Sequence, residues 1–174
     1  MRTLQKFLIL WLIFGLFISC SETNSEKEPT EIVGALVSNS ECKSNAGIRS
    51  STTIGTPDTL SCINFTYKAT EKLLNIEHIN AGFNCCPGTL SCNISISNDT
   101  IIIVEEEEAP MCNCNCLFDL EIEITGVLAD SYIVKIVEPY LQDMKALMLN
   151  IDLANENEGS YCVTRKQYPW GLNY

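Results

Sequence analysis

Cysteine residues provide most of the chemistry that this sequence could carry, since ten of them occur in 174 residues. Two clusters are defined by their close spacing: Cys85-Cys86 with Cys92, and Cys112-x-Cys114-x-Cys116. Thiols this close together can pair as disulfides in an oxidising compartment, or can bind a soft metal ion as thiolates. Disulfides between the clusters need neighbouring segments that hold the two clusters side by side.

Disulfide bonding is the chemistry that we expect from both clusters. The Cα atoms of a disulfide lie about 4.4–6.8 Å apart. Bonds within the second cluster, or between the adjacent Cys85 and Cys86, would be strained, so pairing of segment 85–92 with segment 112–116 is favoured. A further bridge could join the N-terminal region to the C-terminal tail through Cys42, Cys62 or Cys162. With Cys20 set aside, nine candidates remain: Cys42, Cys62, Cys85, Cys86, Cys92, Cys112, Cys114, Cys116 and Cys162. An odd number leaves at least one cysteine outside the intramolecular bridges.

A thiolate metal site is the alternative for the second cluster. Cys112, Cys114 and Cys116 would offer thiolates to zinc or cuprous copper, and His78 could add an imidazole. The spacing differs from the Cys-x2-Cys pairs of structural zinc sites, and an oxidising compartment favours disulfides over thiolates. We therefore expect no cofactor.

Catalytic residues are scarce, because His78 is the only histidine and nucleophilic hydrolysis usually needs a histidine base. We expect His78 to be structural or surface-exposed, and the chain not to be an enzyme. The least favoured alternative is a carboxylate-based hydrolase, since its acidic pair is defined only in space. Asp119, Glu121 and Glu123 alternate along one segment and predict a water-exposed strand face. The run 105–108 predicts a solvated acidic loop.

Short segments with alternating apolar residues make up the chain from residue 60 onward. Ile63, Phe65 and Tyr67 alternate with polar residues, and the pattern recurs over 74–78, 93–97, 120–124 and 147–153. A period of two is typical of half-buried strands. We predict an all-β fold, an antiparallel β-sandwich with disulfide-stapled loops, for which the immunoglobulin arrangement is one candidate.

Composition excludes several classes of protein. The length predicts one domain, and 46% hydrophobic residues exclude a disordered polar chain. A formal net charge of −11 argues against nucleic acid as a partner, because binding phosphates requires a basic face.

The N-terminus has the pattern of a secretory signal. Arg2 and Lys6 precede an apolar run over 7–18, which is shorter than the roughly 20 residues of a membrane span. Leu16-Phe17-Ile18-Ser19-Cys20 resembles the lipobox of bacterial lipoproteins. The resemblance implies cleavage before Cys20 and attachment of fatty acyl chains, such as palmitate, to that cysteine. More than one chain is needed for firm anchoring.

The lipobox resemblance implies a simple organisation: a signal peptide over 1–19, a lipidated cysteine with a polar tether over 20–31, and a single β-sandwich domain over 32–174. The chain is similar to small cysteine-containing envelope lipoproteins of Gram-negative bacteria, where a serine such as Ser21 after the cysteine goes with the outer membrane. We expect a lipid-anchored cell-envelope protein with a binding or structural role, facing the periplasm or the surface. Its expected partners are the membrane and a protein or glycan ligand.

Overall fold

The computed structural model describes residues 31–43 and 56–166. Nine strands occur in these ranges, and no helix does: β1 Val33–Asn39, β2 Leu60–Lys68, β3 Leu73–Asn84, β4 Leu90–Ser97, β5 Thr100–Glu107, β6 Asn115–Thr125, β7 Ser131–Val137, β8 Met148–Asp152 and β9 Glu158–Thr164. The predicted signal peptide, Cys20 and the tether up to residue 30 lie outside the described residues.

The strands form two sheets that pack against each other, which confirms the predicted all-β sandwich. One sheet has the order β1-β6-β3-β2-β9 and the other the order β4-β5-β7-β8. Strand pairing is antiparallel throughout except between β5 and β7, which are parallel. Immunoglobulin domains instead place their first, second, fifth and fourth strands in one sheet, so the strand order here differs from theirs.

Alternation along the strands explains why the sheets pack as they do. Ile63, Phe65 and Tyr67 on β2 are buried as predicted, and Leu74 and Ile76 on β3 share their apolar cluster. The same cluster takes apolar residues from β5, β7 and β8 of the opposite sheet. Because successive side chains of a strand point to opposite faces, each of these rows lies on the inner face of its sheet.

A second, smaller apolar cluster lies further along β3 and β6. It contains Phe83 and Phe118, whose ring centroids are 6.0 Å apart in an edge-to-face arrangement, and Leu120. His78 lies on β3 between Ile76 of the main cluster and Phe83 of the smaller one. The core is therefore interrupted by polar residues, and these residues form the candidate site.

Candidate functional site

A buried polar cluster lies between the two sheets. Its members are Ser61, His78, Glu105, Glu138 and Arg165, and each is at most 6% exposed. Burial of a charge is costly unless it is paired and hydrogen-bonded, so the contacts within this cluster determine whether the fold tolerates it.

Period-two alternation places each polar side chain on the inner face. Ser61 precedes Ile63 by two residues on β2, and His78 follows Ile76 by two residues on β3. Glu105, Glu138 and Arg165 stand two residues beyond the buried residues Ile103, Ile136 and Val163. The cluster therefore continues inward rows that are otherwise apolar.

A chain of hydrogen bonds runs through His78. Its Nδ1 lies 2.6 Å from Oε1 of Glu105, and its Nε2 lies 2.9 Å from Oγ of Ser61. Because an ionised carboxylate can only accept a hydrogen bond, the ring nitrogen Nδ1 carries the hydrogen and donates a hydrogen bond to Glu105. Nε2 then accepts from the Ser61 hydroxyl when the imidazole is neutral, and donates to it when the imidazole is protonated.

Arg165 closes the other side of the cluster. Its Nη2 pairs with Oε2 of Glu138 and also donates to Oγ of Ser61 over 3.2 Å, while its Nη1 donates to the carbonyl of Lys145 over 2.7 Å. Oε1 of Glu138 lies 3.9 Å from Nε2 of His78. The two carboxylates therefore face two basic groups within one buried volume.

The electrostatics favour a protonated imidazole. Burial on its own lowers the pKa of His78, but the charge and hydrogen bond of Glu105, aided by Glu138, outweigh it and leave that pKa raised. Burial raises the pKa of Glu138, against the opposing effect of His78 and Arg165. The cluster thus holds two basic side chains and two carboxyl groups.

The order of contacts from Ser61 through His78 to Glu105 is that of a nucleophilic triad. These residues are not accessible from solvent, because neither Ser61 nor His78 has any exposed surface. The backbone of Ser61 also lies in the ladder between β2 and β9, opposite Val163. In this conformation the Ser61 hydroxyl and the His78 ring are closed off from solvent and hydrogen-bond within the buried cluster.

One expectation about the acidic residues needs correction. The run 105–108 is not a solvated loop, because residues 105–107 belong to β5 and Glu105 is 2% exposed. The burial of Glu105 could have been inferred from its spacing, because it continues the alternation of the buried residues Ile101 and Ile103 along the same strand. Glu107 is also engaged, since it accepts from the Tyr140 hydroxyl and, over 2.9 Å, from the Asn84 amide. Of the two positions expected for His78, structural or surface-exposed, the exposed one is excluded, because the side chain is buried.

The cysteines pair as the clustering predicted. Cys85 bonds to Cys114 and Cys86 to Cys112, with Cα atoms 5.6 Å and 5.5 Å apart. The remaining two disulfides are Cys62–Cys162, which joins facing positions of β2 and β9, and Cys42–Cys116. Cys42 thus pairs with the second cluster and not with the C-terminal region.

Cys92 is the free cysteine of the described part. It is half-buried on β4. Burial, together with the charge of Glu105, raises the pKa of its thiol to about 11. The side chain is therefore a neutral thiol at physiological pH and a poor nucleophile.

The residues of the alternative metal site are dispersed among other contacts. Cys112, Cys114 and Cys116 each bond to a different cysteine, and both ring nitrogens of His78 are engaged in the buried cluster. Across residues 31–43 and 56–166, no group of three or more His, Cys, Asp or Glu side chains is placed to hold a metal ion.

The predicted acidic face of β6 lies on the outside of the sandwich. Glu121 and Glu123 are exposed, while Asp119 is half-buried and pairs with Lys43. These carboxylates do not converge on a cleft of the inner face.

Two neighbouring depressions open at the end of the sandwich where β4 turns into β5. Their volumes are about 580 Å³ and 420 Å³, and Asp99, Ser131 and Tyr132 line both. The larger one falls within the range of about 300–1,000 Å³ that is usual for small-ligand sites. It also reaches Glu31, at the end of the predicted tether.

No protein-family model, curated protein or solved structure matches this chain. Within the described ranges, none of the secondary structure is a helix of the length and apolarity needed to cross a membrane.

Proposed function

We propose that this chain is a lipid-anchored protein of the bacterial cell envelope whose β-sandwich acts as a binding or structural module and not as an enzyme. The observation that carries the proposal is the pairing of eight cysteines into four disulfides. Disulfides in this number form and persist in oxidising compartments such as the periplasm and the cell surface.

The N-terminal pattern supports the same location. The apolar run over 7–18 and the lipobox-like residues ending at Cys20 provide export and an anchor. The polar segment over 21–30 has the composition of a flexible tether. Ser21 directly after Cys20 favours retention at the outer membrane, facing either the periplasm or the surface.

A binding or structural role fits the two kinds of site in the fold. The triad-like residues are enclosed, with no exposed surface on Ser61 or His78. The larger surface depression is lined by Ile32, Leu128 and Tyr132 together with polar side chains. Apolar walls with a few convergent polar groups are typical of ligand sites, and a protein segment or a glycan is the class of ligand that we assign to it.

Metabolic labelling tests the anchor. The full chain is expressed in a Gram-negative host that is fed a clickable palmitate analogue, and the label is read on the purified protein. Wild type is expected to carry the label and to fractionate with the outer membrane, whereas Cys20→Ala is expected to lose both. Cys92→Ala is the matched control, since it removes a different unpaired thiol and should keep the label. Unlabelled wild type, or a labelled Cys20→Ala variant, would contradict lipidation at Cys20.

A further inference from the structure

An amine, a carboxylate and a carboxamide meet on three adjacent segments of the larger sheet. Lys43 follows β1 and forms an isolated bridge with Leu117, where its N–H donates to the Leu117 carbonyl over 2.8 Å. Asp119 lies on β6 and Asn80 on β3. Because the sheet order is β1-β6-β3, the carboxylate lies on the strand between the amine and the amide.

The three side chains are in direct contact. Nζ of Lys43 donates to Oδ1 of Asn80 over 2.9 Å and also pairs with Oδ1 of Asp119. The same Asp119 oxygen accepts the backbone N–H of Asn80 over 3.0 Å. The amine nitrogen therefore lies beside the amide that it could attack and beside a carboxylate that could take its proton.

The amide of Asn80 is held in place, with its oxygen toward Lys43. Asn80 has no exposed surface, and its Nδ2 donates to the carbonyls of Leu60 and Pro57 over 2.7 Å and 3.1 Å. These two acceptors identify the nitrogen, so the oxygen is the atom that faces Lys43. Asn80 also has a φ of 62° at the irregularity where β3 shifts register against β6. Such a bulge re-aims a side chain out of the regular pleat.

Lys43 is fixed as well. The disulfide from Cys42 to Cys116 holds the preceding residue against β6, and the bridge to Leu117 holds Lys43 itself. Reactants held in a productive orientation gain effective molarities of about 10⁵–10⁸ M over free reactants. A reaction between amine and amide that is negligible in solution thereby becomes feasible within a folded protein.

We propose that Lys43 and Asn80 join in an intramolecular isopeptide bond, with Asp119 as the catalytic proton acceptor. Asp119 takes a proton from the Lys43 ammonium, and the freed lone pair of Nζ attacks Cγ of Asn80. The Nζ–Cγ bond forms and the Cγ–Nδ2 bond breaks. The departing nitrogen takes one proton directly from Nζ. Asp119 then gives it the proton that Asp119 had removed from the Lys43 ammonium.

The products balance the reactants without any oxidant, reductant or added group. One lysine ammonium and one carboxamide give one secondary amide and one ammonium ion, and Asp119 ends as the carboxylate that it was at the start. The side chains of Lys43 and Asp119 are 33% and 32% exposed, which leaves a route for the ammonium ion to reach solvent.

Peptide mapping of the full chain tests the bond. After reduction and alkylation, the bond would leave the protein lighter by one ammonia, about 17 Da. Trypsin should then fail to cut after Lys43, and residues 28–49 should be recovered covalently joined to residues 73–135. Recovery of separate peptides from wild type, with a cut after Lys43, would overturn the proposal.

Two variants assign the chemistry. Lys43→Arg keeps a cation beside Asp119 but offers no amine, so the 73–135 peptide should be recovered unjoined and at full mass. Asp119→Asn keeps the side-chain shape but cannot take the proton, so the joined peptide should also be lost. Peptide-level thiol labelling that finds Cys92 as the single free cysteine within residues 31–166 shows that each variant has formed its four disulfides. A joined peptide in Asp119→Asn would overturn the role of Asp119, and the wild-type result decides the bond even if a variant misfolds.

Discussion

Replacing Arg165 by methionine should destabilise the protein more than most single substitutions. Arg165 is 3% exposed, and its guanidinium contacts the Glu138 carboxylate, the Ser61 hydroxyl and the Lys145 carbonyl. Methionine fills a similar volume without any donor. The substitution therefore leaves Glu138 buried, with only the His78 ring, 3.9 Å away, as a basic neighbour.

The size of the loss follows from that unpaired carboxylate. Removing one partner of a buried ion pair costs about 3–5 kcal/mol, against a total stability of about 5–15 kcal/mol for an ordinary domain. With a urea slope of about 1–3 kcal/mol per M, the unfolding midpoint should fall by about 2 M. The Lys145 carbonyl also loses the Arg165 donor, which adds to this cost.

The loss should also depend on pH. Burial already raises the pKa of Glu138, and Arg165 is one of the groups that oppose that shift. Without Arg165, Glu138 takes up a proton on folding. When folding raises the pKa of a carboxyl group, the free energy of unfolding falls as the pH rises between the unfolded and the folded pKa. The fall is about 1.4 kcal/mol for each pH unit. The variant should therefore be closest to wild type under mildly acidic conditions and fall further below it as the pH approaches neutrality.

Urea titrations followed by far-ultraviolet circular dichroism, with the disulfides intact, measure both effects. The matched control is Glu138→Leu combined with Arg165→Met, which removes both charges and should recover most of the stability. Replacing a whole buried ion pair by apolar residues is often neutral or favourable. A midpoint within about 0.5 M of wild type for the single variant, or a double variant no better than the single one, would refute this account of the cluster.

Three further results are expected from the same titrations. Folding raises the pKa of His78 above its unfolded value of about 6.5. The protonated imidazole therefore stabilises the fold fully below that pH, and the stabilisation is lost as the pH rises through the folded pKa. His78→Gln should flatten the decline in midpoint over that range. Gly159→Ala should cost about 1–3 kcal/mol, because the added Cβ would lie 2.5 Å from the Phe65 ring; Ser160→Ala, on the exposed face, should change little. Removing the Cys62–Cys162 bridge by two alanines should cost about 2–5 kcal/mol.

Much of the fold could be predicted from local sequence. The alternation at Ile63, Phe65 and Tyr67 identified the inner face of β2, because a side-chain period of two is a local property of an extended strand. The disulfide pairing between the two cysteine clusters followed from the distance limits on the bond. Both inferences use short-range geometry, which a single sequence contains.

The buried cluster depends on contacts that are distant in sequence. Glu105 opens a run of four glutamates, and such a run is typical of solvent-exposed segments. Its burial is decided by His78, which lies 27 residues earlier on another sheet. The parallel pairing of β5 with β7 is also non-local, because β6 lies between them in the chain and belongs to the opposite sheet.

The distribution of charge in the cluster gives it a role that the disulfides do not have. Each of the four disulfides of the described residues joins strands of the larger sheet or the segments that extend them, so none of the four ties one sheet to the other. The basic groups, His78 and Arg165, come from β3 and from the end of β9, both in the larger sheet, whereas Glu105 and Glu138 come from β5 and the end of β7 in the smaller one.

Apolar packing between the sheets is non-directional, and it would allow them to slide or rotate over each other. A one-residue slip of a strand would turn its whole inward row to the outer face, and in β3 or β5 it would separate His78 from Glu105. The cluster therefore selects one register and one way of apposing the two sheets. Burying these charges costs desolvation free energy. Only one apposition of the sheets offsets that cost, because each charge meets its partner only there.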